Sequence, residues 1–89
     1  SIQIENIRLA GINYYTDNIT LRPRNGESTS ISLSDLESLD YIGSVVNPKT
    51  GNSFTESIVV RVTNNNGKYT YLVCPLEEDC EWLSLIQEE

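Results

Sequence analysis

The sequence predicts a small, β-rich α+β fold: a strongly bent antiparallel sheet or barrel of about six or seven short strands, closed by one C-terminal helix. Three observations point there. Short runs of Ile, Val, Leu and Tyr at alternate positions recur between residues 2 and 74. Gly, Asn and Pro punctuate those runs. Residues 77–87 break the pattern with apolar side chains at helical spacing. With 89 residues, 38% of them hydrophobic, the chain has material for one domain with a thin core. It starts at Ser and not Met, which is compatible with excision from a longer chain.

Ile2, Ile4, Ile7 and Leu9 alternate with a phase slip at Glu5-Asn6. That pattern predicts a bulged strand over roughly residues 2–10, ended by Gly11. Ile12 to Tyr15 reads as a short continuation. Ile19-Thr20-Leu21 reads as a further strand running into Pro23, and a proline there marks an edge or a terminus. Asn25-Gly26 is a turn signal. Ser30-Ile31-Ser32-Leu33 alternates as a strand would, and Leu36, Leu39 and Tyr41-Ile42 follow. Two short strands with a turn at Ser34-Asp35 fit this stretch. So does one helical turn capped by Ser34 or Asp35, because Leu33, Leu36 and Leu39 are spaced by three. The alternation favours strands.

Residues 43–57 are rich in Gly, Asn, Pro and Ser and read as a long loop. The clearest element follows. Ile58 to Thr63 and Tyr69 to Cys74 are β-branched or aromatic runs around Asn64-Asn65-Asn66-Gly67-Lys68, and Asn66-Gly67 suits the positive φ angles of a tight hairpin. Alternation places Ile58, Val60 and Val62 inward and Arg61 in water. In the predicted C-terminal helix, Glu77, Glu78 and Asp79 complement the N-terminal dipole. Trp82, Leu85 and Ile86 form the apolar stripe.

This order of elements resembles the pleckstrin-homology-like fold, mainly in residues 68–87, KYTYLVCPLEEDCEWLSLIQ. The resemblance implies a last strand whose inward residues are Leu72 and Cys74. It also implies a closing helix anchored by Trp82 and Ile86. The stretch from Cys74 to Trp82 is a residue shorter than the family's usual pattern, and Leu76 stands where a Ser-like cap is common.

Charge narrows the function. Six basic and 13 acidic residues give −7. Residues 77–89 hold six carboxylates and no base, so −7 less −6 leaves −1 for residues 1–76. Direct nucleic-acid binding is disfavoured, since it needs clustered Lys and Arg. No run of 18 apolar residues offers a transmembrane span. The chain has no His, which removes Ser-His-Asp and Cys-His couples and imidazole metal ligands. Cys80 lacks a base, and paired carboxylates such as Glu77 and Glu81 read as solvated charge. No catalytic residue, cofactor or metal is therefore expected. Cys74 and Cys80 are too few for a zinc site. They read as reduced, buried thiols in a cytoplasmic protein, and Asn18-Ile19-Thr20 as a coincidental glycosylation triplet.

Two sets of binding residues remain. Phosphoinositide-binding members of the resembled family use basic residues on the first strands, so the resemblance puts Arg8, Arg22 and Arg24 forward as lipid-phosphate ligands. Tyr69 and Tyr71, turned outward beside Arg61, would make an adhesive β-face for a protein partner. A non-catalytic protein-interaction module, an adaptor or scaffold, is the expected function. Weak phosphoinositide binding and an acidic inhibitor or nucleic-acid mimic are the alternatives. The β-edge near Pro23 and the groove between helix and sheet are the expected docking surfaces. Oligomeric state is not legible.

Overall fold

Residues 2–17 form a helix and not a strand. A computed structural model describes residues 2–45, 51 and 58–75, and its first element is α1 (Ile2–Asp17). The burial pattern shows why. Ile4, Ile7, Ala10 and Tyr15 are buried, at spacings of three to five residues that follow one helix face. Leu9, inward in a strand register, is 46% exposed. Glu5 sits in the first turn, where the dipole favours it. The predicted strands at 2–10 and 12–15 are both absorbed into α1.

Asn18 closes α1. Its backbone N–H and its side-chain Nδ2 both donate to the Tyr14 carbonyl, at 3.0 and 2.8 Å. Ile19–Leu21, predicted as a strand, is a single 3-10 turn with no buried residue. It stops at Arg22, whose extended backbone (ψ 149) is the conformation a following proline imposes. Pro23 is buried in the connection and lies on no strand edge, so the expected edge at that site is absent. Asn25-Gly26 forms the predicted turn. The Glu27 N–H donates to the Arg24 carbonyl at 2.9 Å, and Gly26 has φ 82.

β1 (Ser28–Ser32) runs directly into α2 (Leu33–Ser38). Ser32 is the N-cap, two or three positions ahead of the predicted ones, and its hydroxyl accepts from the Asp35 N–H at 3.1 Å. The helical alternative therefore holds for residues 33–38, against the favoured strand. Leu33 and Leu36 are buried, while Leu39 is 55% exposed because the helix has already ended. Asp40 takes φ 65. The Tyr41 N–H reaches the Leu36 carbonyl at 2.9 Å and the Asp40 N–H reaches Glu37 at 3.2 Å, which is a Schellman closure.

β2 (Ile58–Asn65) and β3 (Lys68–Pro75) form the predicted hairpin. Asn66 and Gly67 have φ 55 and 83, as a type I′ turn requires. The sheet order is β1-β2-β3, antiparallel throughout, with Ile31 paired to Val60 and Val60 to Val73. Among the described residues the architecture is thus an open three-stranded sheet with two helices. This overturns the predicted barrel of six or seven strands, since three of those strands are helical or 3-10 and α2 replaces a fourth. The predicted closing helix at 77–87, with Trp82 and Ile86, lies outside the described residues.

One core joins these elements. Ile4, Ile7, Ala10 and Tyr15 of α1 meet Ile31, Leu33, Leu36, Ile58, Val60, Val62 and Val73. Gly11, predicted as a strand end, is instead the point of closest approach. A Cβ there would lie 2.5 Å from Val60 Cγ1, so only Gly lets α1 settle onto β2.

Candidate functional site

Strand alternation and the pairing register divide the sheet into two faces. Ile31, Val60 and Val73 lie under α1, with Thr29, Val62 and Tyr71, and Asn64 and Tyr69, in the neighbouring rows. The opposite face carries Ser30, Arg61 and Leu72 in one row, Ser28, Thr63 and Thr70 in the next, and Asn65 with Lys68 at the hairpin. Leu72 is 48% exposed, Arg61 is half-buried, and Ser28, Ser30, Thr70 and Lys68 are exposed. Ser28 and Thr63 share a hydroxyl hydrogen bond of 2.7 Å across the strands.

The charge on this surface runs against the whole. The three strands hold two charged residues, Arg61 and Lys68, both basic and both on this face. The ion pair formed among the described residues is elsewhere, between Arg8 and Glu5 on α1. On the same face but toward the other end of the strands, Val59 and Cys74 are cross-strand partners and both are buried. Cys74 is disulfide-bonded, which corrects the expectation of reduced thiols. The chain's one other cysteine, Cys80, lies outside the described residues.

The expected interface residues are thus separated. Arg61 is on the open face. Tyr69 and Tyr71 are not beside it, because they pair with Asn64 and Val62 and face α1. Tyr71 stands 6.5 Å from Tyr15, ring centre to ring centre. Tyr15 meets Tyr14 edge-on at 4.9 Å, and Tyr14 meets Tyr41 at 5.6 Å. Such contacts stabilise by about 0.5–1.5 kcal/mol each beyond burial; Tyr15–Tyr71 joins α1 to β3, and Tyr14–Tyr41 joins α1 to the segment after α2. Burial pushes the Tyr15 phenol above its ordinary range, against a hydrogen bond with Thr29 that lowers it. The Tyr41 hydroxyl donates to Asp17 Oδ2 at 2.8 Å, and that hydrogen bond raises its pKa.

The three candidate lipid-phosphate arginines do not converge. Arg8 is committed to Glu5, toward the start of α1. Arg22 donates from Nε to the Tyr15 carbonyl at 3.2 Å and lays its guanidinium 4.9 Å from the Tyr69 ring centre. Tyr15 is seven residues beyond Arg8, about 10 Å along the helix axis. Arg24 is exposed in the turn that follows Pro23.

Two features escaped the sequence. One is Asn64, the buried polar residue of the described set at 7% exposure. It donates to the Pro23 carbonyl at 3.0 Å and accepts from the Gly67 N–H at 2.8 Å. Asn25 joins it by accepting from the Asn66 N–H at 2.7 Å, so the two turns brace each other. The other is Leu72, inward under the resemblance and outward in the structure. Its signal was present: a two-residue turn at 66–67 pairs Leu72 with Arg61, and directly opposed residues share a face.

The described residues hold no group of three or more His, Cys, Asp or Glu that could bind a metal ion, and no helix among them is long and apolar enough to cross a membrane. Compared with known protein families, curated proteins and solved structures, the chain matches none.

Proposed function

We propose that this chain is a non-catalytic protein-interaction module and that it binds through the sheet face turned away from α1. One observation carries the proposal. Leu72 is the single aliphatic residue left open among the described strand positions, while Ile31, Ile58, Val59, Val60, Val62 and Val73 are all buried. It sits on a rigid hairpin beside Arg61 and is flanked by hydroxyl groups. An apolar side chain held next to Arg and surrounded by polar groups follows the apolar-centre, polar-rim anatomy of interfaces. The disulfide at Cys74 favours an oxidising compartment over the cytoplasm as the place where the module works.

The test compares wild type with Leu72→Ser by quantitative affinity capture, after circular dichroism has shown that the variant is folded. At least one protein retained by wild type should be lost with the variant. An identical set of retained proteins would sink the proposal for this face.

A further inference from the structure

Resting on that interaction reading, we infer that the partner presents an extended, acidic peptide segment to this face, with glutamates four residues apart. Charge complementarity is the first ground. In a chain of net charge −7, the strands carry two cations, half-buried Arg61 and exposed Lys68, and no carboxylate. At physiological ionic strength the Debye length is about 8 Å. A ligand on the sheet therefore feels chiefly the charges within that reach, and those the strands themselves supply are Arg61 and Lys68.

Spacing is the second ground. Lys68 is paired with Asn65, four residues along β2 from Arg61, which is about 13 Å. An extended peptide lying along the hairpin advances at the same rate, and its side chains at positions i, i+2 and i+4 face the sheet. Carboxylates at i and i+4 then meet the two cations. The Arg61 guanidinium offers a planar fork to the first, and the Lys68 ammonium offers a point charge to the second. Between these ends stand Thr63 and Thr70, whose hydroxyls can serve the position in the middle. Leu72, directly across from Arg61, packs against the aliphatic stem of the first glutamate.

The experiment titrates the full chain into a labelled synthetic Thr/Val-rich peptide that carries two glutamates separated by three residues, read by fluorescence anisotropy. Two control peptides replace both glutamates with Gln or with Lys. The diglutamate peptide should bind. The Gln peptide should bind at least about tenfold more weakly, and the Lys peptide should not bind. Arg61→Glu with Lys68→Glu should remove the preference for glutamate, whereas Arg24→Glu, in an exposed turn, should leave it intact. Equal binding of the Gln and Glu peptides would overturn the inference while leaving the Leu72-dependent capture, and hence the interaction module, in place. Binding that emerges only after Glu77, Glu78, Asp79 and Glu81 are changed to amides would assign the face to the chain's own acidic segment. A dimer in sedimentation that dissociates with Arg61→Glu would assign it to a second copy. Either outcome overturns a partner in trans.

Discussion

The face of the sheet under α1 and the face turned away from it are made by the same strands, residue by alternate residue, yet their chemistry differs in every row but that of Val59 and Cys74, which are buried on the second. Under the helix, Ile31, Val60 and Val73 stand side by side and all are buried. One residue along on each strand, the row is Ser30, Arg61 and Leu72, with Leu72 half open. The first face has to match the shape of α1 so closely that Gly11 has no room for a methyl group against Val60. The second has no such constraint from the described elements, and its residues are free to be chosen for what they touch from outside. The proposed function would thus set stability and recognition on opposite sides of one sheet. Substitutions on the two sides should separate cleanly in what they change.

The sharpest test of that division is Ile7→Ala. Ile7 is fully buried between α1 and the sheet, and removing its outer carbons loses both transfer free energy and packing. A loss of about 2–5 kcal/mol is expected in urea unfolding, a large fraction of what holds a domain this small together. A loss under about 1 kcal/mol would mean that the helix face is not the principal core.

Gly11→Ala probes the same contact from the other direction. Helix propensity alone favours Ala by about 1 kcal/mol. The added Cβ, however, would stand 2.5 Å from Val60 Cγ1 and 2.8 Å from its Cβ, and overpacking of this kind costs about 1–3 kcal/mol. Branched carbons rooted on a central strand cannot swing aside as a long flexible chain would, so the clash should prevail and the variant should unfold earlier in urea. Gly11→Ala with Val60→Ala should then be less destabilised than the sum of the single changes, because the methyl group enters the space that Val60 vacates. Strict additivity would show that the close approach does not govern how α1 sits.

The hairpin was legible because its signals agree at every level: β-branched runs, an Asn-Gly turn and alternation that buries Ile58, Val60 and Val62. α1 was not, because its apolar residues satisfy two periods at once. Ile2, Ile4, Ile7 and Leu9 fit alternation with one slip, and Ile4, Ile7, Ala10 and Gly11 fit a helix. The slip at Glu5-Asn6, read as a bulge, was the helical period showing through. With exposed Leu9 on its wet side, the helix lacks the clean polar stripe that would have identified it. For the candidate site, Arg61 was placed correctly on the solvent side of its strand. The error lay one strand over. Placing Tyr71 beside Arg61 ignored the register that a two-residue turn imposes, and that register pairs Tyr71 with Val62 and Leu72 with Arg61. A slip of one residue exchanges the faces of an entire strand.

The smallest expected effect on stability is also the one that gives the comparison its meaning. Complete burial of a Leu side chain stabilises by about 1.5–3 kcal/mol, and Leu72 is 48% exposed, so Leu72→Ser forfeits at most about half of that, near 1 kcal/mol. Serine keeps the strand backbone and its hydrogen bonds, and its hydroxyl faces water as those of Ser30 and Thr70 do on the neighbouring positions. The urea midpoint should therefore move far less than with Ile7→Ala, while partner capture, which the proposal rests on Leu72, should fall the most. Were Leu72→Ser to destabilise the chain as much as Ile7→Ala, Leu72 would be a core residue for some further part of the molecule. The open face would then be a second core surface, and the division of labour between the two sides of the sheet would not hold.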